Sequence, residues 1–412
     1  MIEVFGARVR QARVLRRMSA TSVCESMGWS PNRQTKLEKS SVLWSTPEEV
    51  ERFSDLFGFP ARFFSTEPRT RLTAGELLFR APKSMTKGEQ EFLAVFASLV
   101  GDILGDLDDH SKLPPVRVPA IQSGPSAGVP IALAALQLRQ AMGLEADEPF
   151  DDLMYEAERV GAPVIVRRRE RGEWDSEFAA SAAYARTERH LGYSSWVGEH
   201  RDRPLLVLRE SESWERTRFT VAHELGHLVL HSRSSCVVGS EQENEADRFA
   251  AELLAPIAAV ATELPTMMSL LNLKPLKDRW GISLGALIRH IRDARLIDPV
   301  RAEMLTKQLY SRTNPDTGHT WGVTEPGWLD RQPERPRLVS KFVERCYGAM
   351  SLGELAAQGA TGLPLDVLDW ILATQRTAPS LPIPPGSNAP IRMAAAHGEA
   401  AVVALDSRRH RA

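Results

Sequence analysis

The run Arg218-Phe219-Thr220-Val221-Ala222-His223-Glu224-Leu225-Gly226-His227 decides how this sequence is read. Its flanking residues suit a helix, and Phe219, Val221, Leu225, Leu228 and Val229 give that helix an apolar body. Positions i and i+4 of a helix lie one turn apart on one face, so His223 and His227 can offer two imidazole nitrogens to one ion. Glu224 sits beside that face, where a carboxylate can accept a proton from a water activated by the ion. The plainer alternative is a buried helix whose two histidines are satisfied by hydrogen bonds.

A catalytic zinc site takes three protein ligands and keeps a position open. The extended pattern HExxHxxGxxH does not supply the third, because its glycine and final histidine fall on Leu230 and Arg233. A glutamate from a following helix remains. The run Glu241-Gln242-Glu243-Asn244-Glu245-Ala246-Asp247 opens an amphipathic helix that continues to Pro256. Glu245 is the expected ligand, on the face carrying Phe249, Ala250 and Leu253, with Glu243 or Glu252 as substitutes; the other acids read as a solvated first turn. His231, one turn beyond His227, is either a helix-terminal histidine favoured by the macrodipole or a residue of the site.

Upstream of the motif, strand-like runs at Pro163–Arg167, Phe178–Tyr184 and Leu205–Leu208 follow two helices, Ile131–Met142 and Asp151–Val160. Beyond Glu245 the pattern is helical again. A long amphipathic helix is expected from about Thr86 to Leu107, then an extended, proline-stiffened link from Leu113 to Pro119. A short helical unit near Leu352–Leu372 precedes a tail, Pro379 to Ala412, whose Pro, Ala and Arg content reads as disordered. At the other end, Val4 to Phe64 reads as short helices. The first has Phe5, Val9, Ala12 and Leu15 at helical spacing, and the second is Ser19–Met27, stopped by Gly28. A third starts at Ser30-Pro31 and runs to about Glu38, and a fourth starts at Ser45-Thr46-Pro47.

The chain has 412 residues, 43% of them hydrophobic and 25% charged, with net charge −2, so it is globular but not polyanion-binding over its whole surface. Three scattered cysteines, Cys24, Cys236 and Cys346, form no CxxC pair, which argues against a disulfide framework or a cysteine zinc site and for a reducing, cytoplasmic setting. The start of the chain lacks the apolar core of a signal peptide, and Leu253–Leu273 is broken by Pro256, Glu263 and Pro265, so no membrane partner is expected.

RFTVAHELGHLVLH followed by ENEADRFAAELLAP resembles the ImmA/IrrE family of bacterial metallopeptidases, as do Phe79-Arg80-Ala81 and Trp280-Gly281-Ile282-Ser283. The resemblance implies zinc held by His223, His227 and Glu245, with Glu224 as base, in a regulatory peptidase that cuts a transcriptional repressor. The N-terminal helices resemble the XRE (Cro/repressor-like) helix-turn-helix. Its third helix enters the major groove, so Asn32, Arg33, Gln34 and Lys36 become the expected DNA contacts. Local charge agrees: Arg8, Arg10, Arg13, Arg16, Arg17, Arg33, Lys36 and Lys39 face only Glu3, Glu25 and Glu38. Two positions depart from the pattern: Ala20 replaces a phosphate-contacting glutamine, and Gln34 stands where the family is usually apolar.

The expected fold is therefore α+β and predominantly helical. A helix-turn-helix bundle (1–66) and a connector with the long helix (67–120) precede a zincin-like metallopeptidase domain with a small sheet and helical extension (121–345). A small helical unit (346–378) and the tail (379–412) complete it. The competing reading is a helix-turn-helix regulator whose peptidase-like part is a sensor or dimerisation platform; the intact Glu224 argues against it, and the sequence leaves a homodimer open.

Overall fold

The computed structural model describes residues 1–79, 85–120, 130–168, 192–231, 239–359 and 361–375. Among them are seventeen α-helices and two small sheets. The expected strand at Phe178–Tyr184 and the tail from Pro379 lie outside the described residues.

The chain begins with β1 (Ile2–Val4), which pairs antiparallel with β2 (Leu43–Ser45) and so brings together the two ends of the segment that holds the first three helices. These are α1 (Gly6–Leu15), α2 (Ala20–Met27) and α3 (Arg33–Lys39). Gly6 is required by packing: a Cβ there would lie 2.2 Å from the Leu37 carbonyl oxygen. The Ser19 side chain caps α2, and Gly28 ends it in the left-handed region at φ 67°. The third helix starts later than its Ser30-Pro31 signal, at Arg33, because Asn32 takes a left-handed turn at φ 70°. Next come α4 (Pro47–Phe57), capped by Thr46, and α5 (Ala61–Ser65). Phe53, Phe57, Phe59, Phe63 and Phe64 from this stretch are all buried.

The capping box of Thr86 and Glu89 starts α6 (Lys87–His110). Unlike a surface helix, α6 is buried almost continuously from Phe92 to Leu104, because other elements pack around it. One hydrophobic cluster joins it to Val9, Phe53 and Phe64 of the N-terminal helices and to Phe342, Leu368 and Ile371 from the end of the described chain. Two polar residues within it serve as anchors. Ser98 accepts from the Leu72 amide at 2.9 Å. Asp102 accepts from the Thr70 amide and from the buried Arg8, each at 2.7 Å.

After α7 (Ile131–Met142) and α8 (Leu153–Arg159) comes the second sheet: β3 (Val164–Arg167), β4 (Gly192–Val197) and β5 (Arg203–Arg209). The strand order is β3-β5-β4, with β3 parallel and β4 antiparallel to β5. Period-two alternation splits β5 between two cores: Leu205 and Val207 pack toward α6, while Leu206 and Leu208 face the helices on the other side. Leu78 forms an antiparallel bridge to Ser194 on the outer edge of β4.

The second core packs α7 and α8 against α9 (Trp214–Leu230) and α10 (Ser240–Leu254). Beyond it, α11 (Ile257–Glu263), α12 (Leu270–Trp280), α13 (Leu284–Asp293) and α14 (Pro299–Ser311) form a third cluster. An irregular stretch then leads to α15 (Leu338–Tyr347), α16 (Leu352–Ala357) and α17 (Leu365–Leu372). No helix among the described residues is long and apolar enough to cross a membrane.

Candidate metal centre

The motif lies on α9, and three features hold that helix in place. Ser213 caps its start. Arg218, 2% exposed, donates to the carbonyls of Phe150 and Asp151 at 2.6 and 2.8 Å and pairs with Glu334. Gly281 makes room for that guanidinium, since a Cβ there would lie 1.9 Å from Nη1; its φ of 65° also ends α12. The Trp280-Gly-Ile-Ser283 motif is thus a helix stop followed by the Ser283 cap of α13. Further along, Gly226 lets α10 approach closely: a Cβ would meet Phe249 at 3.0 Å and the Ala246 backbone at 3.3 Å.

That close approach brings Glu243 to the histidines. The Nε2 atoms of His223 and His227 are 3.1 Å apart, and Glu243 oxygens lie 3.6 and 3.5 Å from them. Ligand atoms at tetrahedral positions around zinc, with bonds of 2.0–2.2 Å, are separated by roughly 3.3–3.5 Å. The three side chains therefore mark out one face of such a tetrahedron, and they form the metal-competent group among the described residues.

The glutamate found there is Glu243, whereas the sequence pointed first to Glu245. Helical phase explains the difference. Glu243 precedes the buried Ala246 and Ala250 by three and seven residues, on the middle of the buried face; Glu245 aligns with Phe249 at its edge. Its side chain is 40% exposed, against 15% for Glu243, and it accepts from His231 Nε2 at 2.9 Å. Glu252 sits elsewhere, near His290 and the start of α11.

Both histidines are also engaged through their second nitrogen. His223 Nδ1 lies 3.0 Å from Asp247, which Arg289 holds at 3.2 Å. His227 Nδ1 lies 3.0 Å from Nδ1 of His231. Burial alone would lower the His223 pKa, but its hydrogen bonds to Asp247 and Glu243 outweigh burial and lift it to about 10. For His227 burial wins, and the pKa falls to about 4. Burial opposes ionisation of Glu243, yet the two histidines hold its carboxyl well below the usual range.

Glu224, next to His223 on α9, reaches the sheet while lining the same cleft as His223 and Glu243. It is buried, which raises its pKa to about 8, and its Oε2 accepts the Ser194 hydroxyl at 2.9 Å. Gly192 allows β4 to pass over it, because a Cβ there would lie 3.1 Å from Oε1. Sequence reading missed β4 and hence Ser194. The trio's His223 and Glu243, with Glu224, line a cleft of about 1210 Å³ that also includes Phe219, Arg248, Tyr310 and Trp328.

The expected DNA contacts divide. Asn32, Arg33 and Lys36 are exposed, with Arg33 paired to Glu49 at 2.8 Å and stacked over Trp29. Gln34 is fully buried and donates to Glu38, so it is not available to a nucleic acid. Much of the basic surplus faces inward or pairs within the chain: Arg8 with Asp102, Arg10 with Glu91, Arg13 with Glu38 and Arg16 with Asp366.

Residues 181–292 match the family model described as the IrrE N-terminal-like domain, Peptidase_M78. The match covers β4, β5 and the helices from α9 through all but the last residue of α13, and so contains the whole trio. It supports the ImmA/IrrE family and a metallopeptidase-like function. No curated protein matches the chain.

Proposed function

We propose that this protein is a zinc-dependent endopeptidase. The observation that carries the reading is the spacing of His223, His227 and Glu243 around one point, beside a buried carboxylate that belongs to none of them. Two imidazole nitrogens and one carboxylate oxygen form a donor set typical of catalytic zinc, with a fourth position left for substrate. When bound, zinc supplies Lewis acidity, which makes water nucleophilic near neutral pH and polarises a carbonyl.

The chain's own residues do the rest. Glu224 accepts the proton of the attacking water and passes it to the leaving amine. Its pKa near 8 suits both directions, and the Ser194 hydroxyl holds the carboxylate in place. The cleft receives the peptide, with Phe219 one turn before His223 as an apolar contact on its wall.

The resemblance to ImmA/IrrE peptidases supports a repressor as the target, and the three dispersed cysteines support a cytoplasmic setting. We assign DNA binding to the exposed Asn32, Arg33 and Lys36 of the N-terminal helices. The discriminating experiment is Glu224→Gln. It should leave zinc content and fold unchanged and slow cleavage of the target by about a hundredfold or more. A variant that still cuts its target and derepresses the target genes at the wild-type rate would refute the enzyme reading.

A further inference from the structure

Glu245 is not among the three side chains that converge, yet it is joined to them. From the carboxylate the chain of contacts runs to His231 Nε2 at 2.9 Å, then from His231 Nδ1 to His227 Nδ1 at 3.0 Å. His231 is 3% exposed and His227 is fully buried. His231 closes α9 one turn after His227, so both rings project from the same side of the helix, and α10 brings Glu245 to the outer one.

The order of donors in this chain is set by the atom that must stay free for the ion. Two ring nitrogens 3.0 Å apart share one hydrogen, so one donates and the other accepts. An ionised carboxylate only accepts, so the hydrogen between Glu245 and His231 belongs to His231 Nε2. For Nε2 of His227 to bind an ion beside His223 and Glu243, that ring's hydrogen must sit on Nδ1, so His231 accepts at Nδ1. That leaves the lone pair of His227 at Nε2, the atom that faces His223 and Glu243. The opposite arrangement would set an imidazole lone pair against a carboxylate and place a hydrogen where a ligand atom is needed.

We infer that Glu245 and His231 are positioning residues that hold His227 in its metal-binding tautomer, one residue further removed than the direct contact of Asp247 with His223. The inference rests on the metal-centre reading above. Outer partners of this kind typically change metal affinity by about 10–100-fold.

The test is zinc affinity, measured on the full chain by competition with a chromophoric chelator. Glu245→Ala and His231→Phe should each weaken zinc binding about 10–100-fold, and the double variant should lose no more than the worse single one, because both act through the same hydrogen. Glu245→Gln, whose amide can both donate and accept, should fall between wild type and Glu245→Ala; its half-exposed position keeps this variant folded. In metal-free protein, nitrogen-15 spectra should show His227 with its hydrogen on Nδ1, and a mixture of tautomers after Glu245→Ala. Affinity within twofold of wild type for Glu245→Ala, or losses that simply add, would overturn the relay. A wild-type chain that binds no zinc, or that keeps it after His223→Ala with His227→Ala, would instead overturn the metal centre itself.

Discussion

Ser194 on the edge strand donates its hydroxyl to Oε2 of Glu224 at 2.9 Å, so the base belongs as much to the sheet as to its own helix. The bond favours the ionised carboxylate, while burial opposes it. Ser194→Ala should therefore move the acidic limb of the pH–rate profile to higher pH and lower the rate at neutral pH by about tenfold, through loss of a correctly placed, ionised base. Zinc content should not change. A pH profile that coincides with wild type would show that the contact plays no part in catalysis.

Metal analysis of the purified chain should give about one zinc per molecule. Glu243→Ala should abolish stable binding, whereas Glu252→Ala should retain it, since Glu252 faces His290 and the amide of Ile257 instead. Uptake should also depend on pH. With a pKa of about 10 in the metal-free protein, His223 carries a proton that the ion must displace. Zinc affinity should then rise by roughly tenfold per pH unit between pH 7 and 9, with release of about one proton. Calorimetry in buffers of different ionisation enthalpy reads this directly, and an affinity independent of pH would contradict it.

The Arg8–Asp102 pair predicts a stability effect far from the cleft. Both residues are more than nine-tenths buried, and Arg8 also donates to the Thr66 carbonyl at 2.8 Å. Asp102→Ala leaves a buried guanidinium without its counter-ion, which should cost about 3–5 kcal/mol. Urea unfolding should show it. Replacing both members with Arg8→Met and Asp102→Leu should recover most of the loss, because no charge then remains buried.

At the N-terminal helices, Arg33→Ala with Lys36→Ala should abolish specific DNA binding and leave zinc untouched. Each lost phosphate contact should reduce the salt-dependence slope by about one unit. Gln34→Leu, by contrast, should leave DNA affinity intact, since that side chain is enclosed. Unchanged operator binding in the Arg33/Lys36 variant would point to another surface.

Much of this was legible from residues alone, and the failures have physical causes. The helix of His223 and His227 announced itself through spacing, and the long helix through its apolar periodicity from Phe92 to Leu107. Glu243 and Glu245 project on nearly opposite sides of α10, about 160° apart, and an apolar stripe broken by alanines did not show which side faces the histidines. Strand β4 was missed because Gly192-Tyr-Ser-Ser-Trp-Val197 lacks a repeating apolar face; its serines are turned inward to bond Glu224 and the Glu76 carbonyl. Arginines read as a solvated or DNA-facing surplus turned out to be partners of residues far along the chain, as in Arg8 with Asp102 and Arg16 with Asp366. Sequence spacing says nothing about such pairs.

The helices before Thr66 share their apolar interior with α6, which in turn packs against the sheet that carries Ser194. Among the described residues this contact is packing and not a tether. Whatever grips the first sixty residues therefore takes hold of the cleft at a fixed bearing, with no slack to let it swing toward a target. Reach would then be a matter of compass direction and not of leash length: a peptide presented from the wrong quarter stays out of range however near it is. The same stiffness makes the N-terminal helices poor candidates for removal, since a chain shortened past them would bare the flank of α6 to water.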